Sequence, residues 1–368
     1  MSGSVGHRKD RDSWYVAWYD KKTKKTLKIG AYKGETIKTK RVAMKLLATM
    51  QAAVENGTFV LERYTHRGFS DVVPFIEHWM ESIKKTVSPA TYKGYQSYVK
   101  NHIRPYFEAR KDLMLYDIQL DILTDFMNHI DLAPKTKMNV MACLHVMMDY
   151  AKRSRRIVEM PSFPRKSAYQ IVDRPIRWLP EERQIHVLNC IPEIHQPIFW
   201  FLKYHMRRPA EAIALQKQDY QDGVFTICRS ISAKKLVEKT KTGDIHTIPC
   251  HQDFERFIEI ERKKQILSPY FFCCPTSRRR SKRYTNKTLN WIWRDACKKA
   301  GENIDLYSGL KHSSCSQYVN EKGLSESELQ IITDHARIDS VRRYAKTEIK
   351  RKRELMMKNI FEKERSVK

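Results

Sequence analysis

Residues 334–344 read DHARIDSVRRY, a stretch in which His335 precedes Tyr344 by nine positions and two arginines stand directly before the tyrosine. The chain of 368 residues carries 69 Lys and Arg against 42 Asp and Glu, a formal net charge of +27. Such an excess indicates a polyanionic partner, with DNA or RNA as the first expectation. A tyrosine in these basic surroundings is a candidate nucleophile toward a DNA phosphate.

The composition indicates a globular protein of two or three domains, because 41% hydrophobic and 11% aromatic residues suffice for packed cores. The eight cysteines form no C-x-x-C pair, and only Cys273 and Cys274 are adjacent. This pattern disfavours zinc and a disulfide framework, so neither a metal nor a cofactor is expected. The N-terminus lacks an apolar signal segment, and no apolar run approaches about 18 residues, which predicts a cytoplasmic protein without a membrane partner.

Residues 1–65 have the pattern of a small basic unit that combines a sheet with one helix. Trp14 to Tyr19 and Thr26 to Ile29 are predicted to be paired strands around a lysine-rich turn. Apolar residues at three- and four-residue intervals then predict a helix, which Gly57 ends. These apolar residues are Val42, Leu46, Met50 and Ala53.

Two interpretations of the hairpin are open: a solvated, lysine-rich loop, or a sheet whose exposed face enters a DNA groove. The density of basic side chains favours the second interpretation. The candidate DNA-binding residues of this unit are Lys24, Lys25 and Lys28.

Residues 66–158 carry apolar positions at helical spacing, which predicts an all-α bundle. Asp71 and Ser88-Pro89 are predicted to begin two of its helices, and a third long helix is predicted after Leu132-Ala133-Pro134. Residues 159–176 lack sustained periodicity and are predicted to be an interdomain linker.

Residues 177–368 mix helical and strand patterns. Helices are predicted at 180–190, 209–217, 252–265, 286–300 and 325–334, and strands at Val224 to Ile227 and Leu236 to Ile248, the second bent at Thr242-Gly243. The expected fold class is therefore multidomain α+β, with a small N-terminal sheet and helix, an all-α bundle and a mainly helical mixed C-terminal domain.

Arg208 and Lys241 precede the stretch 334–344, and each taken alone is only weak evidence for a functional site. Arg208 precedes a predicted helix start and Glu211 follows three positions later, a spacing usual for a surface ion pair. Lys241 lies where a tight hairpin would project it from a strand, although a lone hairpin lysine is usually solvated.

The order and spacing of five positions resemble the tyrosine recombinase (phage integrase) family; they are Arg208, Lys241, Lys311, His335 and Tyr344. The family's first arginine stands in T-G-x-R-x-x-E-x-x-x-L, and the chain fits this pattern from Arg208 onward. The family's hairpin lysine falls on Lys241, its G-H box on Asp334-His335, and its nucleophile on Tyr344.

One box departs from the family pattern. The family's H-x-x-R, usually followed by histidine, aligns with Ser308-Gly309-Leu310-Lys311-His312, so Ser308 replaces the histidine and Lys311 the second arginine. Lysine keeps the charge but loses the planar fork that grips two phosphate oxygens, which is expected to weaken transition-state binding by roughly 1.5–3 kcal/mol. Tyr307 or His312 can supply a compensating contact. Asp334 replaces the family's glycine and is expected to orient His335.

The resemblance implies a metal-independent strand transfer through a 3'-phosphotyrosyl intermediate. Tyr344 would attack the scissile phosphate, and Lys241 would protonate the departing 5'-hydroxyl. Positive charge on the nonbridging oxygens would come from Arg208, Lys311 and His335. The acceptor of the Tyr344 proton is left unassigned, because Ser308 stands where the family has histidine.

Two further basic segments are candidate DNA contacts. The first lies between a predicted strand and a predicted helix, and phosphate contacts are preferred over a solvated loop; its residues are Arg278, Arg279, Arg280, Lys282 and Arg283. The second follows Tyr344 and ends in apolar residues that can either dock on a neighbouring protomer or pack on their own chain. These apolar residues are Leu355, Met356, Ile360 and Phe361.

The function implied by the resemblance is an integrase of a phage or other mobile element. Its domains would be an arm-type DNA-binding unit at 1–65, a helical core-binding (SAM-like) domain at 66–158 and a catalytic domain at 177–368. Its partners would be double-stranded DNA at core and arm-type sites, other copies in a tetramer, and a DNA-bending accessory protein. The location implied is the nucleoid of a bacterial host cell.

Two alternatives are weaker. A noncatalytic DNA-binding descendant is suggested by Ser308 and Lys311, but such a protein has no need of the retained Tyr344. A type IB topoisomerase-like enzyme shares the chemistry, but it has no need of the N-terminal arm-type unit.

Overall fold

The computed structural model describes residues 3–20, 24–32, 35–57, 59, 61, 64, 71–111, 113–157, 159–172, 175–241, 243–264, 266–278, 281–334, 338–344 and 356–357. The chain forms two compact units, residues 1–172 and 173–368. None of the helices within the described residues combines the length and apolar character that a bilayer crossing requires.

The first unit opens with a three-stranded antiparallel sheet, built from β1 (Gly3–Arg8), β2 (Ser13–Asp20) and β3 (Lys25–Ile29) in that order. The predicted pair β2 and β3 is confirmed, whereas β1 was not predicted. Alternation along β2 buries Val16 and Trp18 on one face. The short strands β4 (Ala31–Tyr32) and β5 (Glu35–Thr36) follow.

Helix α1 (Lys40–Glu55) packs on this sheet and confirms the predicted helix. The predicted apolar face is shifted by one residue at its start, because Ala43 is buried while Val42 is exposed. Gly57 follows the helix with a φ of 68°, a left-handed conformation that glycine adopts without steric cost.

The rest of the first unit is a helical bundle, as predicted. Its helices are α2 (Val72–Ile83), α3 (Pro89–Tyr98), a π-helical turn (Val99–Ile103), α4 (Arg104–Glu108), α5 (Leu120–His129) and α6 (Pro134–Arg153). Ser88 caps α3 by accepting a hydrogen bond from the Thr91 amide at 3.1 Å, whereas Asp71 precedes α2 without a side-chain cap. The core is apolar and rich in aromatic residues, including Phe75, Trp79, Phe107 and Phe126.

Part of the predicted linker belongs to this bundle. Tyr169, within the short 3-10 helix Lys166–Tyr169, is buried in the bundle core, and Phe163 and Ile171 pack against that core. The absence of helical periodicity in 159–172 therefore reflects an irregular segment anchored by single aromatic and aliphatic side chains.

The second unit is mainly helical. Its α-helices are α7 (Glu181–Asn189), α8 (Gln196–Tyr204), α9 (Pro209–Ala214), α10 (Glu255–Lys263), α11 (Asn286–Lys299), α12 (Ser313–Asn320), α13 (Glu326–Thr333) and α14 (Ile338–Arg342). A π-helical segment, Ser308–His312, leads directly into α12. One core combines residues of α7 to α11 with aromatic residues of the strands and loops.

The strands of the second unit form two small sheets. In one, β7 (Val224–Ile227) pairs with β6 (Tyr220–Gln221) and β10 (His246–Pro249); in the other, β8 (Ser230–Ser232) pairs with β9 (Lys235–Val237). The predicted strand at Val224 to Ile227 is confirmed. The single bent strand predicted at Leu236 to Ile248 is wrong, because β9 and β10 pair with different partners in separate sheets.

Candidate active site

A helix that begins with a π-helical segment carries the centre of the candidate site. Asp305 precedes it, and its Oδ1 accepts hydrogen bonds from the Tyr307 amide at 3.0 Å and the Ser308 amide at 2.9 Å. Gly309 lies against Trp293, where an added Cβ would come within 2.2 Å of the indole ring. The cap and this close approach hold the first turn of the helix in place.

Arg208 stands at the N-terminus of α9, and Glu211 holds it from within that helix. Glu211 Oε1 accepts a hydrogen bond from Arg208 Nη1 at 2.7 Å, and Glu211 Oε2 accepts one from the Arg208 amide at 3.0 Å. Burial opposes ionisation of Glu211, but the adjacent Arg208 outweighs it and holds the pKa of the carboxyl below its usual value. The pair is therefore an interior ion pair, whereas its spacing alone suggested a surface one.

Lys311 is a deeply buried cation of the site, with only 2% of its surface exposed. Burial lowers its pKa to about 8, and the positive charge of Arg208 acts in the same direction. Glu211 lies close enough to oppose this shift. Two basic side chains and one shared carboxylate therefore lie together, which leaves a net positive charge in a largely desolvated region.

Tyr344 packs in a small apolar cluster with Met206, Cys315, Leu329 and Val341, and 6% of its surface is exposed. Its side chain and the Cys315 thiol form a hydrogen bond. Burial raises the pKa of the Tyr344 hydroxyl, so the phenol is neutral at ordinary pH.

Helix α12 and the segment before it hold Tyr344 from two further sides. Asn320 Nδ2 donates to the Tyr344 carbonyl at 3.2 Å, and the His312 ring lies 5.5 Å from the Tyr344 ring, centroid to centroid. Burial lowers the pKa of His312 to about 4, which leaves a neutral imidazole beside the phenol at pH 7.

Ser308 and Tyr307 face different partners. The Ser308 side chain hydrogen bonds to Asp305, on the same helix terminus. The Tyr307 side chain hydrogen bonds to Arg208, and its ring packs edge-on against His312 at 4.6 Å. Tyr307, one position before Ser308, is therefore the residue of the altered box that contacts Arg208.

Asp334 is bound by a residue that the sequence did not single out. Arg207 Nη1 donates to Asp334 Oδ2 at 2.9 Å, while Arg207 Nη2 donates to the Ile332 carbonyl at 2.7 Å. The His246 Nδ1 atom lies 3.7 Å from the same carboxylate oxygen. Asp334 has a φ of 52°, so an aspartate occupies the left-handed position where the family pattern has glycine. His335, which Asp334 was expected to orient, lies outside the described residues.

Two family models match the chain. The model of the phage integrase N-terminal SAM-like domain matches residues 72–130, and the model of the phage integrase family matches residues 182–351, together more than half of the chain. The chain belongs to the phage integrase family of tyrosine recombinases.

Solved structures of tyrosine recombinases have the same fold. A lambda integrase dimer bound to a COC' core site is 15% identical, with a TM-score of 0.57 over 92% of this chain and 93% of that chain. A lambda integrase tetramer bound to a Holliday junction is 15% identical, with a TM-score of 0.57 over 90% and 95%. The Tn1549 transposon integrase in complex with transposon right end DNA is 15% identical, with a TM-score of 0.62 over 78% and 99%.

The family models confirm the predicted family, and the likeness to these solved structures confirms the α+β fold class. No sequence among curated proteins matches the chain significantly.

The residue at the position of the family's hairpin lysine is placed differently from the prediction. Lys241 is exposed in the connection between β9 and β10, whereas the turn of the β8–β9 hairpin contains Ala233 and Lys234. Within the described part of the chain, no hydrogen bond or ion pair joins Lys241 to Arg208.

The predicted DNA-binding residues of this recombinase fall into three groups. Arg278 and Lys282 are exposed, in agreement with a surface role. Arg283 donates to the Lys234 carbonyl at 3.0 Å and therefore braces the β8–β9 turn. Arg279 and Arg280 lie outside the described residues.

In the N-terminal sheet, Lys24, Lys25 and Lys28 are exposed. Lys28 Nζ lies 5.2 Å from the centroid of the Tyr15 ring, so that face combines basic and aromatic side chains. Of the C-terminal apolar residues, Met356 is exposed, and Leu355, Ile360 and Phe361 lie outside the described residues.

Proposed function

We propose that the chain is a site-specific DNA recombinase, the integrase of a phage or other mobile element, which cleaves and rejoins strands through a 3'-phosphotyrosyl intermediate. The observation that carries this proposal is the convergence of Arg208, Lys311 and Tyr344, which lie far apart in sequence, around one helix of the second unit. Two cations beside a tyrosine suit attack on a phosphodiester, whose charge rises on the nonbridging oxygens.

In this mechanism Tyr344 Oη forms a bond to the scissile phosphorus while the bond from phosphorus to the 5'-oxygen breaks. Arg208 and Lys311 hold the nonbridging oxygens, together with His335. Lys241 donates a proton to the leaving 5'-oxygen. Tyr344 gives up its phenolic proton as it attacks, and no residue is assigned as the acceptor, since Ser308 stands where the family has histidine. The phosphotyrosine conserves the energy of the broken bond, so a 5'-hydroxyl of a second duplex can reverse the attack without ATP or a metal.

Lys241 is exposed between β9 and β10. The proposed role requires its ammonium group to reach the leaving 5'-oxygen when DNA is bound.

The proposed partners are duplex DNA at core and arm-type sites, three further copies in a tetramer, and a DNA-bending accessory protein. The basic face around Lys24, Lys25 and Lys28 supports an arm-type contact for residues 1–65. Residues 66–158 would bind the core site and residues 177–368 would carry the chemistry. The location proposed is the nucleoid of a bacterial host cell.

A second candidate function is a catalytically impaired DNA-binding relative that regulates recombination or transcription. The burial of Tyr344 and its bond to Cys315 favour this alternative, because the nucleophile must move before it can attack. The two functions differ in one product, the covalent protein–DNA adduct.

The test first recovers the DNA that the full chain binds in cells, by formaldehyde crosslinking and sequencing, and builds the recovered site into a nicked suicide duplex. This route identifies the site whether or not the chain forms the covalent adduct. Wild-type protein is expected to form an adduct that Tyr344→Phe lacks. A wild-type protein that binds the site and forms no adduct would establish the impaired relative.

A further inference from the structure

The winding of the helix that carries Lys311 determines which earlier residue lies on the same helix face as this lysine. A turn of α-helix takes about 3.6 residues, whereas a π-helical turn contains more. In the segment Ser308–His312, the residue four positions before Lys311 therefore lies closer to the helix face of Lys311 than the residue three positions before it does. That residue is Tyr307, and Ser308 is turned toward Asp305.

The contacts of Tyr307 agree with this geometry. Tyr307 hydrogen bonds to Arg208, which also lies near Lys311, and its ring contacts His312, which in turn lies beside Tyr344. Tyr307 is only half-buried, unlike Lys311. A phosphate held by Arg208 would therefore also reach the Tyr307 hydroxyl.

The Tyr307–Arg208 hydrogen bond does not use the hydroxyl proton of Tyr307. A guanidinium group can only donate, so the Tyr307 oxygen is the acceptor in this bond. The hydroxyl proton of Tyr307 therefore stays available for an oxygen of a bound ligand. Arg208 Nη1 donates to Glu211. The Arg208–Tyr307 contact places the Tyr307 hydroxyl beside the other N–H groups of the guanidinium.

We infer that Tyr307 is a further catalytic residue, whose hydroxyl donates a hydrogen bond to a nonbridging oxygen of the scissile phosphate in place of the histidine absent at Ser308. The inference rests on the proposed function. Tyr307 transfers no proton in this role. Burial raises the pKa of its hydroxyl, which keeps it a neutral donor through the working pH range.

The test compares Tyr307→Phe with Ser308→Ala on the nicked suicide duplex described above. The phenylalanine keeps the ring that packs on His312 and removes only the hydroxyl. We expect the rate of adduct formation to fall about 10- to 100-fold in Tyr307→Phe, as for the loss of one hydrogen bond to a charged group, with DNA affinity unchanged. Ser308→Ala is expected to stay within about threefold of wild type.

A second substrate separates a phosphate contact from a structural role. In it a methylphosphonate replaces the scissile phosphate, which removes one charged nonbridging oxygen. If Tyr307 donates to that oxygen, the rate of adduct formation by Tyr307→Phe should be within about threefold of the wild-type rate on one methylphosphonate stereoisomer. An equal defect on both substrates, or no defect on either, would overturn the inference. Absence of any adduct with wild-type protein would instead count against the proposed function.

Discussion

The buried Arg207 and the partly exposed Asp334 form an ion pair, 2.9 Å between Nη1 and Oδ2, that ties the start of α9 to the end of α13. Arg207 also donates to the carbonyls of His205 and Ile332, each at 2.7 Å. This one side chain therefore holds the residue that precedes His335. The pair gives the altered G-H box a polar anchor on a neighbouring element.

The first prediction concerns the strength of this anchor. Arg207→Met should lower the free energy of unfolding by about 3–5 kcal/mol, because it leaves a carboxylate and two carbonyls without their donor. A double-mutant cycle with Asp334→Asn, followed by urea unfolding of the full chain, should give a coupling energy of about 1–3 kcal/mol. Additive effects of the two changes would show that the pair contributes no coupling.

The second prediction concerns the carboxylate that holds Arg208. Glu211→Gln should lower the rate of adduct formation at least about tenfold, because a neutral amide holds the guanidinium less firmly. The matched control is Glu259→Gln, since Glu259 and Arg262 form an exposed pair with the same three-residue spacing. That change should alter neither adduct formation nor stability by more than about 0.5 kcal/mol. Similar effects of both changes would remove Glu211 from the site.

The third prediction is a pH dependence set by Lys311. Its pKa of about 8 means that it is positive below that pH and neutral above it. The second-order rate constant for cleavage by free enzyme should therefore fall as pH rises through about 8. Lys311→Arg should remove this decline, because a guanidinium stays charged. A decline that persists in Lys311→Arg would assign it to another group.

The fourth prediction separates the effect of Lys311 on the stability of the protein from its role in cleavage. The folded state lowers the pKa of this lysine, so its burial costs stability in full below pH 8, and the cost shrinks as pH rises toward the ordinary lysine value. Lys311→Met should therefore raise the free energy of unfolding at pH 7 by about 1–3 kcal/mol while it abolishes adduct formation. A smaller gain is expected at pH 9.5. Destabilisation at both pH values would show that the lysine is well paired.

The fifth prediction divides the basic segment after Pro275. Arg278→Ala and Lys282→Ala should each weaken DNA binding and reduce the slope of log K against log salt by about one, with no loss of stability. Arg283→Ala should instead lower the thermal stability, since it releases the Lys234 carbonyl. Fluorescence anisotropy across a salt series and thermal unfolding distinguish these results. A salt slope unchanged in all three variants would place the segment away from DNA.

Much of the fold was predictable because local patterns determine it. The apolar spacing from Leu46 to Met50, the Ser88 cap and the pattern before Gly57 are signals within a few residues, and each was confirmed. Strand β1 was missed because Gly3–Arg8 has almost no apolar alternation and is held by pairing with β2. The connection from β9 to β10 was misjudged because its strands belong to different sheets, which only tertiary pairing decides.

The candidate site divides in the same way. The sequence by itself determined the family, since the residue types and spacings from Arg208 to Tyr344 match the family's pattern at most positions. Only the tertiary structure decided that Arg207 binds Asp334, that Lys311 is desolvated, and that Tyr307 rather than Ser308 faces Arg208. These features depend on burial and on the local helical winding, and neither quantity is contained in the spacing of residues along the chain.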